Sequence, residues 1–259
     1  MKSQGFTEGI IYIHLNTKYQ YTISYGIDFH DFVRSLSKEL NHLLLLKHEY
    51  DKADFNMNTR MNYVEAEEIP QLLKEPISEY SGFCWIDFDD IEGLNELEGR
   101  EVAELLYLGH CKNHLKLPFY SKLNNRYVYL SEADKWMNKT YYRYLPDFYF
   151  MLGHAISFKL GFFKVEKSIF SLKKGDPIPP VPKEMISSFA DKMKEGMVVS
   201  LPKAMHNRLK LEVPVWVVGD YINMDEMFEE YTDCRQREPD GYFVFDKRAR
   251  EWSIRFLND

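Results

Sequence analysis

The longest regular pattern of hydrophobic residues lies near the N-terminus. Apolar residues recur there at steps of three and four, the spacing that places side chains on one face of an α-helix. The residues that follow this spacing are Phe29, Phe32, Val33, Leu36, Leu40, Leu43 and Leu44. Asp28 is a favoured N-cap residue, and Asp31 lies in the first turn, where acidic side chains are stabilising. The pattern predicts a helix from Asp28 to about Glu49, with Leu36 and Leu40 buried.

Short runs of β-branched and aromatic residues predict strands along the whole chain. Three pairs of runs are separated by short turn sequences, which predicts hairpins. These pairs are 10–14 with 19–24, 119–123 with 126–130, and 242–245 with 252–256. The other predicted strands are 57–66, 83–89, 162–172, 198–201, 209–213 and 215–218.

Helical spacing of apolar residues returns several times after the first helix. The predicted ranges are 101–115, 131–145, 147–160, a helix after Pro182 that ends at Gly196, and 225–234. In the helix 101–115 we expect Val102, Leu105, Leu106 and Gly109 to form one apolar face. Because helices and strands are mixed along the chain, the sequence predicts the α+β class, with mixed or antiparallel sheets and packed helices.

A proline-rich run is the clearest interruption of these patterns. Residues 177–182 contain four prolines, which favour an extended conformation and exclude a regular helix. The run suggests a division into a main domain of residues 1–174, a connection over 175–182 and a smaller α+β unit of residues 183–259. The alternative is a rigid surface connection within one continuous domain.

Composition limits the class of protein. The chain of 259 residues has 45% hydrophobic and 28% charged residues, as an ordinary folded protein does. Its net charge of −7 argues mildly against nucleic-acid binding by the whole chain. Residues 112–174, however, hold 12 Lys and Arg against 4 Asp and Glu, and 15 aromatic residues. This basic, aromatic block either packs on the acidic N-terminal part or faces an anionic partner, and the first is the simpler interpretation.

The three cysteines, Cys84, Cys111 and Cys234, are widely spaced and include no C-x-x-C pair. This arrangement predicts neither a disulfide framework nor a zinc ribbon, and free thiols fit a reducing cytoplasm. Residues 1–8 lack the apolar core of a secretory signal, and no apolar run is long enough to span a bilayer. We therefore expect a cytoplasmic protein without membrane contact.

One candidate metal site combines two sequence features. His110 and His114 are four residues apart, so a helix would place them side by side. Asp87 and Asp89 alternate with apolar residues at the end of a predicted strand, so they would share one face. If the strand end and the helix pack together, these four side chains could hold a divalent metal for a hydrolase. The simpler interpretation is a pair of boundary histidines and a solvated acidic turn.

A candidate site for an anionic partner lies in the basic block. Lys135, Lys139 and Arg143 follow a four-residue spacing, which gives one basic stripe if 131–145 is helical, and Tyr142 is one of the tyrosines interleaved with it. Cations position phosphates and aromatic rings stack on bases, as in single-strand nucleic-acid binding. The simpler interpretation is a solvated helix face.

No phosphate-binding loop, dinucleotide motif or serine elbow occurs in the sequence. The leading hypothesis is therefore a protein that binds a macromolecular partner, most simply another protein, without catalysis and without a cofactor. The first alternative is a divalent-metal-dependent hydrolase, and the second is a nucleic-acid-binding protein that uses residues 112–174.

Overall fold

A computed structural model describes residues 9–77, 82–111, 117–131, 137–167 and 177–257, with the backbone alone for 162–167. These residues form eight α-helices and thirteen strands, and the strands join one sheet in which every pair is antiparallel. The prediction of an α+β fold is confirmed.

The strands are β1 (Ile10–Asn16), β2 (Tyr21–Tyr25), β3 (His42–Leu45), β4 (Asp54–Asn56), β5 (Met61–Val64), β6 (Cys84–Phe88), β7 (Tyr127–Ser131), β8 (Met137–Tyr142), β9 (Met197–Ser200), β10 (Met205–His206), β11 (Lys210–Val217), β12 (Gly241–Asp246) and β13 (Glu251–Phe256). Their order across the sheet is β13-β12-β11-β9-β1-β2-β8-β7-β6-β3-β5-β4, and β10 pairs with β11.

The helices are α1 (Phe29–Arg34), α2 (Ile69–Leu72), α3 (Ile91–Glu96), α4 (Gly99–Cys111), α5 (Leu145–Lys167), α6 (Lys183–Ser187), α7 (Ala190–Lys194) and α8 (Met224–Cys234). The main core lies on one side of the sheet, where it includes buried residues of α1, α2, α5, α6 and α7. Two smaller cores lie on the other side. One contains residues of α3 and α4, and the other contains residues of α8.

The strand register shows that α4 and α8 cover the same face of the sheet. Directly paired residues of antiparallel strands point to the same side. Tyr12, in the core under α8, pairs with Tyr25, while Tyr141, in the core under α4, pairs with Tyr21. Tyr21 and Tyr25 are four residues apart on β2, so they share a face. The two helices therefore lie side by side over different parts of one surface.

The predicted helix from Asp28 to Glu49 is wrong beyond its first turns. Asp28 does cap α1, because its side chain accepts a hydrogen bond from the Asp31 amide, but α1 ends at Arg34. The leucine run that follows forms β3 instead. Its residues alternate between the two cores, because the sheet is covered on both sides and such strands are apolar throughout. Leu40 is buried as predicted, whereas Leu36 is only partly buried.

Three further predictions around the basic block are wrong. Residues 137–142 form β8, not a helix, because this Thr- and Tyr-containing segment pairs with β2 and β7. Residues 119 and 120 have no regular structure and residues 121–124 form a turn, and the Asn125 side chain accepts a hydrogen bond from the Tyr120 amide. The helix α5 continues to Lys167 where a strand was expected, and residues 168–172 lie outside the described ranges.

Other predicted elements are confirmed, among them both terminal hairpins, the buried strand β6 and the helices α4, α5 and α8. Two predicted strands around Pro214 merge into β11. Pro214 is tolerated there because the pairing of β11 with β9 begins one residue later, at Val215.

The proline segment, residues 177–182, has no helix, as predicted, and its last residue, Pro182, has the dihedral angles φ −57° and ψ 139° of extended backbone. It does not separate the sheet into two parts, since β9, which follows it, pairs with β1. The Val181 amide donates to the Gly153 carbonyl of α5, and a Cβ atom at Gly153 would lie 2.1 Å from the Val181 oxygen. The domain boundaries themselves stay a prediction.

Candidate functional site

The helix α4 packs closely on the sheet through one face. Leu105 and Leu108 are fully buried in the core that this helix shares with β3, β6 and β7. Gly109 faces the end of β3, where a Cβ atom would lie 2.7 Å from the Leu46 Cβ atom and 2.9 Å from the Leu46 carbonyl oxygen. The absence of a side chain at Gly109 therefore permits this close approach.

The N-terminal end of α4 is held by charged groups. The Glu98 amide donates to the Glu101 carboxylate at 2.8 Å, and the Lys122 ammonium lies 2.9 Å from the same carboxylate. Partial burial opposes ionisation of Glu101, but the Glu98 amide and Lys122 together lower the pKa of its carboxyl. These contacts fix the start of the helix on the turn that precedes β7.

The opposite face of α4 is open to solvent and carries apolar residues between the polar residues Arg100 and His110. Leu106 and Tyr107 are 39% and 50% exposed. Ala103, His110 and Cys111 are exposed on the same side. The three- and four-residue steps between these residues place them in one stripe along the helix, which we call the α4 outer stripe. A surface helix normally presents polar residues to water, so a second apolar stripe is a candidate contact surface.

Acidic residues are concentrated in the chain segment that leads into α4. The four carboxylates of Asp90, Glu92, Glu96 and Glu98 are exposed on and around α3, which directly precedes α4. Arg100 is the only Lys or Arg between residues 87 and 111, and its guanidinium is 3.2 Å from Glu104. The segment that leads into the stripe is thus acidic, and we call these carboxylates the acidic border, although Glu98 is itself paired with Lys122 at 3.4 Å. Such a border favours a basic partner.

Asp87, one of the predicted metal ligands, is buried on the sheet face opposite α4. It alternates with Ile86 and Phe88, which pack beneath α4. Its carboxylate accepts hydrogen bonds from the amides of Tyr127 at 2.6 Å and Arg126 at 3.0 Å. Burial raises the pKa of Asp87 to about 7, although these amides oppose the shift. The side chain therefore organises the start of β7.

The other predicted metal ligands do not join Asp87 in the described part of the chain. Asp89 is exposed and accepts hydrogen bonds from the side-chain amides of Asn41 and Asn124. His110 lies on α4, and His114 lies outside the described residues. Among the described ranges, no group of three or more His, Cys, Asp or Glu side chains could hold a metal ion. Because His114 is not included, the four-residue site stays a prediction.

The predicted basic stripe is not built as the sequence suggested, because its central part is the strand β8. Lys139 points to the same sheet face as α4, where its ammonium lies 4.3 Å from the centre of the Tyr21 ring. Tyr142 is buried on the opposite face. The Arg143 guanidinium lies 5.5 Å from the Phe119 ring centre. Lys135 is outside the described residues. A role of these four residues toward an anionic partner stays a prediction.

Sequence reasoning missed the α4 outer stripe because it assigned Leu106 to the buried face. The structure places Leu106 on the solvent side, next to Tyr107. A signal was present, since apolar residues at 102, 105, 106, 107 and 108 cover too wide an arc for one helix face. Such a width indicates a helix with two contact surfaces.

Comparison of the chain with protein-family models, with curated proteins and with solved structures finds no match. Within the described ranges, none of the helices combines the length and the hydrophobicity that crossing a bilayer requires.

Proposed function

We propose that this protein acts by binding another protein, without catalysis, and that the α4 outer stripe receives a basic, amphipathic helix of that partner. The observation that supports this function is the exposure of Leu106 and Tyr107 on a helix whose other face is already packed in the core. The proposal includes a cytoplasmic location, since Cys111 is an exposed free thiol.

A helix is the partner structure that fits this surface best. Side chains at 103, 106, 107 and 110 form a ridge of three- and four-residue steps, which packs into the grooves of a second helix. Helices recognised in this way present apolar anchors at the same spacing. Tyr107 supplies the kind of aromatic side chain that carries much of the binding energy at protein interfaces.

The acidic border selects the charge of the partner. The exposed carboxylates of Glu92 and Glu96 would attract Lys and Arg residues that flank the apolar anchors. At physiological ionic strength such attractions are screened within about 8 Å, so they guide the encounter more than they hold the complex. The apolar stripe is expected to provide most of the affinity.

The proposal is tested by titration with a designed helical peptide of leucine and lysine, about 18 residues and five turns long. Fluorescence anisotropy of the labelled peptide should show saturable binding with a micromolar Kd. The double variant Leu106→Ser/Tyr107→Ser should weaken binding at least tenfold, because both anchors are lost. The peptide with glutamate in place of lysine should bind more weakly.

A matched control carries the same kind of substitution elsewhere. Leu209 and Ile222 are 58% and 79% exposed and lie outside α4, so Leu209→Ser/Ile222→Ser should leave peptide binding unchanged. Equal loss in both double variants would contradict a specific site. If the protein dimerises and Leu106→Ser/Tyr107→Ser abolishes the dimer, the stripe binds a second copy of this chain. That result would overturn the proposal.

The two other functions have their own tests. The nucleic-acid hypothesis predicts that the protein is retained on nucleic acid in a salt-dependent way. It would be favoured if Lys139→Ala abolished this retention and the α4 double variant did not change it. A tightly bound divalent metal near one per chain, lost on Asp87→Asn, would favour the hydrolase. If either result were obtained and the peptide did not bind, the corresponding function would replace the one proposed above.

A further inference from the structure

A cavity of about 470 Å³ lies between the helix α5 and the proline segment. This volume is within the range of small-molecule sites in proteins, roughly 300–1,000 Å³. The described lining residues are His154, Ser157, Phe158 and Gly161 of α5, and Pro177, Ile178 and Pro180 of the proline segment. The cavity is on the opposite side of the sheet from the α4 outer stripe, since α5 belongs to the main core.

The wall formed by the proline segment is fixed by hydrogen bonds. The Pro179 carbonyl accepts from the Trp252 indole at 2.8 Å and from the Ser157 hydroxyl at 3.0 Å. The Pro177 carbonyl accepts from the Arg250 guanidinium at 2.9 Å. Prolines restrict the backbone further. A ligand would therefore enter a site whose walls are already formed, which lowers the entropic cost of binding.

Among the described lining residues, one side chain is left that can offer a polar atom to a ligand. Ser157 donates to the Pro179 carbonyl and accepts from the Val181 amide, so its hydroxyl is occupied by the wall itself. His154 is half-buried and stacks on Phe150, with ring centres 4.2 Å apart. Burial lowers the pKa of His154, which favours its neutral form at physiological pH. A neutral imidazole has one nitrogen that can accept a hydrogen bond.

We propose that this cavity binds an uncharged aromatic molecule with one hydroxyl group, a ligand of the phenol class. Its ring would pack against Phe158 and the rings of Pro177 and Pro180, and its hydroxyl would donate to His154. The described lining residues are uncharged, and two cations beside them already have partners. The Arg250 guanidinium donates to the Pro177 carbonyl, and the Arg34 guanidinium lies 5.8 Å from the centre of the Phe158 ring. A charged ligand would therefore lose its hydration without a counter-charge of its own. The site is independent of the proposed protein partner.

The test uses 2-naphthol as the probe, with naphthalene and 2-naphthoate as comparators. The intact protein should bind 2-naphthol saturably, and more tightly than either comparator. The variant His154→Phe keeps an aromatic ring but removes the acceptor, so it should weaken binding of 2-naphthol about tenfold and leave naphthalene unchanged. Unchanged affinity for 2-naphthol in this variant would contradict the hydrogen bond to His154.

Two glycine variants distinguish filling of the cavity from general damage. Gly161 and Gly99 both lie in helices, and a Cβ atom at either position would meet none of the described residues within 4 Å. Gly161→Leu should fill the cavity and abolish binding of 2-naphthol, whereas Gly99→Leu on α4 should not affect it. Circular dichroism checks that both variants are folded. Equal binding by both variants, or no saturable binding by the intact protein, would overturn the proposal.

Discussion

The helices α4 and α8 cover the same face of the sheet but differ on their outer sides. Both bury apolar residues in a local core, Leu105 and Leu108 in α4 and Met227 and Tyr231 in α8. The exposed residues of α8 are almost all acidic or polar, namely Asp225, Glu226, Glu229, Thr232 and Asp233. Those of α4 include Ala103, Leu106, Tyr107, His110 and Cys111.

Contact with water explains the type of every exposed residue of α8, but it does not explain the exposed apolar residues of α4. An exposed acidic side chain keeps its hydration, and acids in the first turn of α8 also favour the helix dipole. Exposed leucine and tyrosine at helical spacing gain nothing from water. The contrast teaches that one helix of this surface is complete as it stands, while the other retains a face suited to a further contact.

The largest effect that distinguishes the two sides of α4 is expected from neighbouring leucines. Leu105→Ala removes a fully buried side chain and should lower the free energy of unfolding by about 2–5 kcal/mol. Leu106→Ala removes a side chain that is 39% exposed and should change it by less than about 1 kcal/mol. Urea denaturation measures both variants. Similar losses would show that Leu106 belongs to the core, and they would contradict the conclusion that α4 has a second, exposed apolar face.

A second prediction concerns pH and the strand beneath α4. The pKa of Asp87 is about 7 in the folded protein and has its usual value of 3.8 in the unfolded chain. The folded state therefore binds more protons between these values, and this group makes the protein less stable as pH rises from about 4 to 7. At roughly 1.4 kcal/mol per pH unit, the loss from pH 5 to 8 is at most about 3 kcal/mol.

Asp87→Asn isolates this contribution, because asparagine cannot ionise. Denaturation midpoints of the intact protein and the variant should diverge across pH 5–8, and the difference between the two curves should have the sign given above. Parallel curves for both proteins would show that Asp87 is ionised throughout this range.

A third, smaller effect measures how closely α4 approaches the sheet. Gly109→Ala places a methyl group 2.9 Å from the Leu46 carbonyl oxygen, so it should destabilise the protein by about 1–3 kcal/mol. Gly99→Ala adds a methyl group in open space at the start of the same helix. It should be neutral or stabilising by up to about 1 kcal/mol. Equal effects on thermal unfolding would contradict the close packing at Gly109.

Elements with a strong local signal were predicted well. The terminal hairpins follow from turns between short β-prone runs, and the helix α8 follows from its apolar spacing between polar residues. The leucines of β3 gave a wrong prediction because a strand covered on both sides is apolar at every position. Apolar and polar residues therefore do not alternate along it, and its residues also match a helical spacing. The strand β8 was missed because the four-residue spacing of its basic residues matches a helix, although its Thr and Tyr residues favour a strand.

The candidate sites depended even more on tertiary structure. The sequence placed Asp87 and Asp89 together, but the fold uses one to organise β7 and the other to bind loop amides. It also singled out His110 on α4, yet assigned the adjoining Leu106 to the core. The sequence correctly assigned Val102, Leu105 and Gly109 to the face of α4 that meets the sheet. How far that face extends depends on the close approach at Gly109, which leaves Leu106 outside it.

Alkylation of Cys111 tests whether the α4 outer stripe is the surface that binds the partner helix. Cys111 lies at the end of the α4 outer stripe and is exposed, whereas Cys84 and Cys234 are buried. Iodoacetamide should therefore modify Cys111 first, as mass spectrometry of digested protein can show. Addition of the leucine–lysine peptide, up to about 1 mM, should slow this modification at least fivefold in the intact protein but not in Leu106→Ser/Tyr107→Ser. An unchanged rate in the intact protein would contradict the assignment of α4 as the binding surface.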